Sequence, residues 1–367
     1  MAEVNLIAWL LLIPLAPYLV LLLYITKKLS IRQTAVRGSL SPVSVSVSVI
    51  IPCRDEETRL PDLLNDLAAQ DFNHDNFEVV VVDDNSVDNT SSIVTAFKGL
   101  NRLMLVKNPG RGKKTAIKNG ISSASGELII TTDADCRVAA GWIGSITALF
   151  TEKKPDLIIS PVVLAEQPHR RDWFQQLEFL SLQAITAGSA LAGRPVLCNG
   201  ANLAFPVSVY NENSDRLRNN VVSGDDIFLL QSIRRSGGRI VWNGAADSVV
   251  HTAGARGLIQ FLKQRARWLS KAGSYHDTFT IILALVSLFT SVSLASLLVG
   301  SIPVPSVFPF WLAAFILKSI PDFLLLYRIT SVYKKTNLLW WFIPSQVFYP
   351  FYVLLVSVYS LFRRNRW

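Results

Sequence analysis

Charged side chains are scarce in this chain: Asp, Glu, Lys and Arg make up 17% of 367 residues, and hydrophobic residues make up 50%. Soluble domains carry about 25% charge, so the balance excludes an ordinary water-soluble protein. Cysteine is scarce too. Cys53, Cys136 and Cys198 stand far apart, match no zinc spacing or paired framework, and fit a reducing cytosolic compartment. The basic residues give a formal net charge of +9, yet many flank apolar segments, where anionic lipid and membrane topology account for them. Nucleic acid is therefore not an expected partner. No basic residue precedes the apolar run 6–25 and no small-residue cleavage pattern is evident, so residues 1–28 read as an uncleaved anchor, not a removable leader. The run is long enough to cross about 30 Å of hydrocarbon. Lys27, Lys28, Arg32 and Arg37 follow it, which places the N-terminus outside and the following chain in the cytosol. The expected location is the bacterial inner (cell) membrane. Residues 29–44 read as a linker.

What is present is organised around E-L-I-I-T-T-D-A-D-C, residues 127–136. A β-branched run at 128–132 reads as a buried strand, and an extended backbone past its end puts Asp133 and Asp135 on one face. Paired carboxylates in one cleft need a compensating charge, and Mg2+ or Mn2+ suits them because it takes one or two carboxylates and completes its shell with water and phosphate oxygens. A solvated turn is the alternative reading of the same tripeptide.

From residue 45 to about 164 strand and helix alternate. Residues 45–51, 77–82, 103–106, 128–132 and 157–163 are strand-like, and 60–69 has helical period. Strands apolar on both faces predict a parallel sheet covered on both sides, with ligands at the strands' C-terminal ends. The polar clusters fall there. Pro52-Cys53-Arg54-Asp55-Glu56-Glu57 follows the first strand and Asp83-Asp84-Asn85-Ser86 the second, and both suit the ribose and base of a nucleotide. Helix capping is the competing reading, preferred here for Asp88. Gly110-Arg111-Gly112-Lys113-Lys114 is a basic turn opening a helix, which can meet phosphates or simply be solvated. Residues 170–192 read as an amphipathic helix carrying Trp173, Leu177 and Leu180. Residues 198–205 suit a close-packed loop lining a pocket. In Ser223-Gly224-Asp225-Asp226 two acids open an apolar helix, where the helix dipole alone would favour them. The basic stretch 256–270 holds Gln264-Arg265-Ala266-Arg267-Trp268 and also reads as a membrane-surface helix.

In this order the motifs resemble the membrane-bound family 2 glycosyltransferases, which include ceramide glucosyltransferases and the synthases of cellulose, hyaluronan and poly-N-acetylglucosamine. The resemblance covers about residues 45–268. I-I-P-C-R-D-E-E resembles the family's opening strand and loop, V-V-D-D-N-S its nucleotide-binding acidic pair, and G-K-K-T-A-I-K-N-G-I its lysine-bearing turn. D-A-D matches D-x-D and Q-R-A-R-W matches Q-x-x-R-W. G-D-D stands where the family has E-D, so Asp226 matches the catalytic base and Asp225 replaces a glutamate.

The resemblance implies an α/β GT-A fold, a Rossmann-like mixed sheet, with transmembrane α-helices added. It implies an inverting, Mg2+- or Mn2+-dependent hexosyltransferase that takes a nucleotide-sugar donor, expected to be a UDP-sugar. Asp133 and Asp135 would hold the metal. The donor side would comprise Pro52, Arg54, Glu56, Asp83, Asp84 and Lys113, with Asp133 and then Gln264, Arg267 and Trp268. Asn199, Gly200 and Asp225 would lie on the acceptor side. Neutralising a diphosphate leaving group and deprotonating an attacking hydroxyl are chemistries suited to these residue types.

Residues 45–255 are thus expected to be the cytosolic GT-A domain, 256–277 an interfacial helix and 278–367 transmembrane helices. Residues 279–300 and 308–326 read as spans, and the loop 328–335 is basic, as on a cytosolic side. A further crossing by 338–362 would leave Arg363, Arg364 and Arg366 outside, so one crossing, a hairpin broken at Pro344 and Pro350, and an interfacial lie all remain open. Lys318 and Asp322, four apart in a span, are expected to pair. The acceptor is expected to be a membrane lipid in the bilayer, because few spans are on hand to conduct a polymer. The competing readings are a processive polysaccharide synthase, a nucleotidyltransferase and a non-catalytic sugar-nucleotide-binding membrane protein.

Overall fold

In the computed structural model the described residues are 2–29, 45–166, 172–215, 224–271 and 277–362. The linker from residue 30 on, the start of the 170–192 segment, Ser223 and the C-terminal arginines lie outside them. The chain folds as two compact units, one of Met1–Ser30, Gln167–Val196 and Gly254–Arg366, the other chiefly of Ile31–Glu166 and Leu197–Ala253.

The second unit holds the sheets. In chain order the strands are β1 (Val47–Cys53), β2 (Phe77–Asp83), β3 (Leu103–Lys107), β4 (Leu128–Thr131), β5 (Cys136–Arg137), β6 (Leu157–Ile159), β7 (Val162–Leu164), β8 (Leu203–Pro206), β9 (Ile240–Trp242) and β10 (Val250–Thr252). Seven form one sheet in the order β3-β2-β1-β4-β8-β6-β9, and β5-β10-β7 form another. Val49, Ile50, Ile51 and Val79 to Val82 are wholly buried, as expected of central strands with both faces covered. β1, β2, β3 and β4 run parallel, so their C-terminal ends share one edge.

The sheet is mixed, not wholly parallel, because β8 enters antiparallel between β4 and β6. Residues 203–205, read as part of a loop, are thus a central strand, and only its approach, 198–202, meets the C-terminal end of β4. The expected strand 157–163 is two strands in different sheets. Pro161 lies at the break, where it lacks an N–H for a ladder, and its carbonyl instead accepts from Val250 N at 3.0 Å and Asn202 Nδ2 at 2.7 Å. Gly126 leads into β4 where no side chain fits: a Cβ there would stand 2.7 Å from the backbone nitrogen of Ser48.

The first unit holds the apolar helices. Leu6–Lys28, Thr278–Gly300, Pro305–Val332 and Thr336–Phe362 are each long and apolar enough to cross a membrane. The last contains the continuous helix Phe342–Phe362 with Pro350 inside it, so it is not a hairpin. Proline is tolerated in such helices where neighbouring groups satisfy the freed carbonyl. Helix Phe308–Val332 runs past the expected end of its span and takes in Arg328, whose guanidinium donates to the Thr26 carbonyl. Lys318 and Asp322 do pair, at 2.5 Å, and Tyr18 donates to Asp322 at 2.6 Å. Helix Trp173–Leu191 belongs with these helices although it lies in the middle of the stretch 45–255. A Cβ on Gly188 would come within 2.5 Å of Ile25 Cγ2, which is how closely this helix approaches the first span.

Asn202 ties the sheet unit together from a wholly buried position. Its amide donates to the carbonyls of Pro161 and Ser248, each at 2.7 Å, and accepts from Trp142 Nε1 at 3.1 Å. Asn202→Ala should therefore cost about 3 kcal/mol, a fall of roughly 6–12 °C in the thermal midpoint of this unit. An unchanged midpoint would show that these bonds carry little stability.

Candidate active site

The strand ends at the shared edge are laced to one another by their loops. Asp55, at φ 54°, accepts from Val87 N at 2.9 Å, and its own N–H donates to Ser86 Oγ at 3.1 Å. Glu56 N donates to Thr90 Oγ1 at 2.9 Å and Glu57 N to Asp88 at 3.0 Å. Asp88 also accepts from Thr90 N at 3.0 Å; the N-cap position of helix Thr90–Ala96 is Asn89, so Asp88 meets the helix's first N–H from one residue before the cap expected of it. Arg54 is exposed and lies 3.7 Å from Asp55, and Pro52 is the next-to-last residue of β1.

Asp83 and Asp84 are both 5% exposed, and their oxygens are engaged within the protein. Asp83 accepts from Ser86 N at 2.9 Å and Ser91 Oγ at 2.8 Å; burial raises its carboxyl, and these bonds pull it below its usual range. Asp84 accepts from Gly112 N at 2.8 and 2.9 Å and from Asn108 Nδ2 at 2.6 Å. That bond fixes the turn at Gly112, whose φ of 96° suits glycine, and the turn starts helix Lys113–Ser123. Asp84 therefore shapes the basic turn, and the turn aims Lys113.

Lys113 reaches Asp133, its closest partner. Burial lowers the Lys113 ammonium, but Asp133, and after it Asp226, outweigh burial and raise it. D-A-D is not extended: Cys136 N donates to Asp133 O at 3.1 Å and closes a turn after β4. The two acids are brought together by that turn, not by strand alternation. Asp135 faces Arg59 at 3.5 Å and Thr252 Oγ1 at 3.3 Å, and burial, with Asp133 beside it, raises its carboxyl. Arg59 also holds Glu56 at 2.9 Å. Neither Arg59 nor Thr252 was marked by any motif, since both are near Asp135 only through the fold.

Asp226 lies in the first turn of helix Asp225–Arg235. Its Oδ2 accepts from Gly200 N at 3.1 Å and its Oδ1 from Ile227 N at 2.9 Å. The Gly200 carbonyl in turn accepts from Thr131 Oγ1 at 2.8 Å, two residues before Asp133. One residue, Gly200, thus joins the end of β4 to the start of the Asp226 helix through its N–H and its carbonyl. Asn199 braces it by accepting from Ala201 N at 3.0 Å. Asp225 looks elsewhere, toward Lys114 at 3.9 Å.

Among the described residues no group of three or more His, Cys, Asp or Glu gathers as a cation site. Asp133 and Asp135 are a two-carboxylate set, which fits Mg2+ or Mn2+ where substrate phosphates and water fill the other positions.

Gln264, Arg267 and Trp268 lie in the other unit, on helix Gly257–Leu269. There Arg265 Nη1 donates to Gln264 Oε1 at 2.5 Å, and its guanidinium stands 4.3 Å from the Trp268 ring. Its carboxylate partner is Glu178, at 2.5 Å, a residue the sequence reading passed over.

Residues 48–219 match the model of Glycosyl transferase family 2. Over 118 residues the chain is 33% identical to the poly(ribitol-phosphate) beta-N-acetylglucosaminyltransferase TarS of Staphylococcus aureus, an alignment covering 30% of this chain and 20% of that protein. Over 93 residues it is 39% identical to the undecaprenyl-phosphate 4-deoxy-4-formamido-L-arabinose transferase of Aeromonas hydrophila, covering 24% and 28%. The chain thus spans less than a third of the length of these curated relatives. The mannosyltransferase PcManGT from Pyrobaculum calidifontis, solved in complex with GDP-Man and Mn2+, superposes with a TM-score of 0.60 at 20% identity, over 98% of this chain and 100% of that one. That likeness shows the fold, GT-A.

Burial pushes the Glu56 carboxyl from 4.5 up to about 6; Arg59 pulls it down, and Asp135 and Asp133 add to the rise. A carboxyl that protonates more readily folded than unfolded favours folding in acid, so its contribution is lost as pH rises through about 6. Glu56→Gln, studied in chelator, should flatten the stability slope between pH 4.5 and 6 by on the order of 1–2 kcal/mol. An unaltered slope would assign that titration to another group.

Proposed function

Because residues 48–219 are a family 2 glycosyltransferase domain, we propose that the chain moves a sugar from a nucleoside-diphosphate sugar, a UDP-sugar in the first instance, to a membrane lipid at the cytosolic face. The observation that carries this reading is Gly200, whose carbonyl and N–H join the D-A-D end of β4 to Asp226.

Asp226 is the general base. It sits in a first helical turn, its two oxygens are held by the N–H groups of Gly200 and Ile227, and Lys113 is close enough to feel its charge. It takes the proton of the acceptor hydroxyl as that oxygen attacks the anomeric carbon from the face opposite the diphosphate, so a single displacement inverts the centre. Asp133 and Asp135 would hold Mg2+ or Mn2+, which when bound offsets the negative charge gathering on the departing diphosphate. Lys113, at a helix N-terminus, adds a cation and the helix dipole to the same end. Gln264 and Arg267 donate to the diphosphate, and Trp268 offers a ring face to sugar or acceptor. Asp83 and Asp84 act one step back, by holding the Gly112 turn and the loop beneath it.

Two features favour a lipid acceptor. Helix Gly257–Leu269 leaves Leu258 69% and Ile259 70% exposed next to exposed Arg256 and Lys263, the pattern of a helix lying in the headgroup layer. The Aeromonas relative is by its name a transferase to undecaprenyl phosphate. The basic pair Lys27 and Lys28 after the first span supports the cytosolic side for the sheet unit.

Membranes bearing the chain, given labelled sugar nucleotides and a bacterial lipid extract, should yield chloroform-soluble product and free nucleoside diphosphate. Asp226→Asn should lower the maximal rate by roughly 10²-fold or more and leave nucleotide affinity nearly unchanged. High-molecular-weight polymer formed without lipid would overturn the acceptor assignment, and lost nucleotide binding in the variant would move Asp226 to the donor side.

A further inference from the structure

The last apolar helix, Phe342–Phe362, carries a polar stripe at helical spacing: Gln346, Tyr349 and Tyr352. Each member faces a buried ionic group of the same unit. Gln346 Oε1 accepts from Lys318 Nζ at 2.6 Å, the Tyr349 ring lies 5.1 Å from that ammonium, and the Tyr352 hydroxyl donates to Glu178 Oε1 at 2.9 Å. Glu178 is 7% exposed and Arg265 4%. Arg265 Nε lies 2.9 and 3.0 Å from the two Glu178 oxygens, and its Nη2 2.5 Å from one of them, a forked, two-point contact.

The guanidinium is also walled by rings, Trp268 at 4.3 Å and Phe261 at 4.7 Å, and its remaining nitrogen holds the Gln264 amide oxygen. Burial lowers the Arg265 guanidinium, but Glu178 more than makes up for it and holds it above its usual range. A guanidinium has only donors, so it selects the oxygen of Gln264 and turns the amide nitrogen away. Arg265 thereby fixes two of the three side chains of the Q-x-x-R-W set without belonging to the set.

Apolar packing alone lets a helix roll by a fraction of a turn at small cost. A buried carboxylate and guanidinium do not, because any roll of helix Gly257–Leu269 separates two charges inside an apolar bundle. We propose that Glu178 and Tyr352 are positioning residues for the transfer reaction: with Arg265 they clamp helix Gly257–Leu269 at one rotation and so set where Gln264, Arg267 and Trp268 stand. This inference rests on the glycosyltransferase reading, in which those three side chains meet the donor.

The test uses the full chain in lipid nanodiscs. Glu178→Gln keeps the shape of the side chain and removes its charge. Tyr352→Phe is the gentler variant, for it removes one hydroxyl and keeps the ring that stacks 5.4 Å from Phe261. Glu178→Gln should raise donor KM at least fivefold and Tyr352→Phe about two- to threefold, with kcat less affected, and Glu178→Asp should restore part of the loss. In parallel, hydrogen–deuterium exchange should quicken about tenfold over residues 257–269 and stay unchanged over 278–300. Donor KM within twofold of wild type in a folded Glu178→Gln protein, whether or not exchange changes, would reduce the clamp to a structural contact and overturn the inference. So would unaltered exchange over 257–269. If Glu178→Gln fails to fold, Tyr352→Phe decides on the same two readouts. A wild-type chain that transfers no sugar contradicts the functional reading itself, and the exchange arm still decides whether the helix is clamped.

Discussion

The constraint on which the sheet unit depends is electrostatic. Glu56, Asp133, Asp135 and Asp226 are all carried toward one edge, where like charges repel unless each is given an opposite charge or a donor. The fold meets this with groups brought from separate strand ends. Lys113 answers Asp133, Arg59 answers Asp135 and Glu56, and the Gly200 N–H answers Asp226. Where the answer falls short, the charge retreats: burial and neighbouring acids raise Glu56 and Asp135. A site built this way is suited to receive a polyanion with a divalent cation, since its acids are held in place before either arrives.

The placing of these groups follows from strand direction. Parallel β1 to β4 deliver Glu56, Asp83, Asp84 and Asp133 to one edge, and antiparallel β8 delivers Gly200 to the same edge from the opposite sense. Had β8 run parallel, its N-terminal approach would lie at the far end of β4 and the Thr131–Gly200–Asp226 chain would not exist. The mixed sheet is therefore a condition of the site.

This division explains what was legible in the sequence. Local patterns showed: the β-branched strands, the glycine that opens the Lys113 helix, the D-A-D carboxylates, the Asp225–Asp226 pair, the apolar spans and the pairing of Lys318 with Asp322. Long-range pairings did not. Arg59 stands 76 positions before Asp135, and Glu178 87 positions before Arg265, so no periodicity or spacing links them. The direction of β8 was hidden because its four residues, Leu203–Pro206, read equally well as a loop. Asp83 and Asp84 show a third kind of limit. Their position at a strand end was legible, but which way their oxygens turn was settled by Gly112, Asn108, Ser86 and Ser91.

In the helical unit the same economy of charge recurs under harsher terms, for Lys318, Asp322, Glu178 and Arg265 are all buried among apolar helices and each has its partner. Both units thus spend their few charges on geometry, and the proposed chemistry rests on where Asp226 is held. If Asp226 is a base and not a nucleophile, transfer proceeds in one displacement. The anomeric configuration of the transferred sugar in the product, read by proton NMR, tests this most directly. An α-linked donor should give a β-linked product, and an α-linked product would contradict the account.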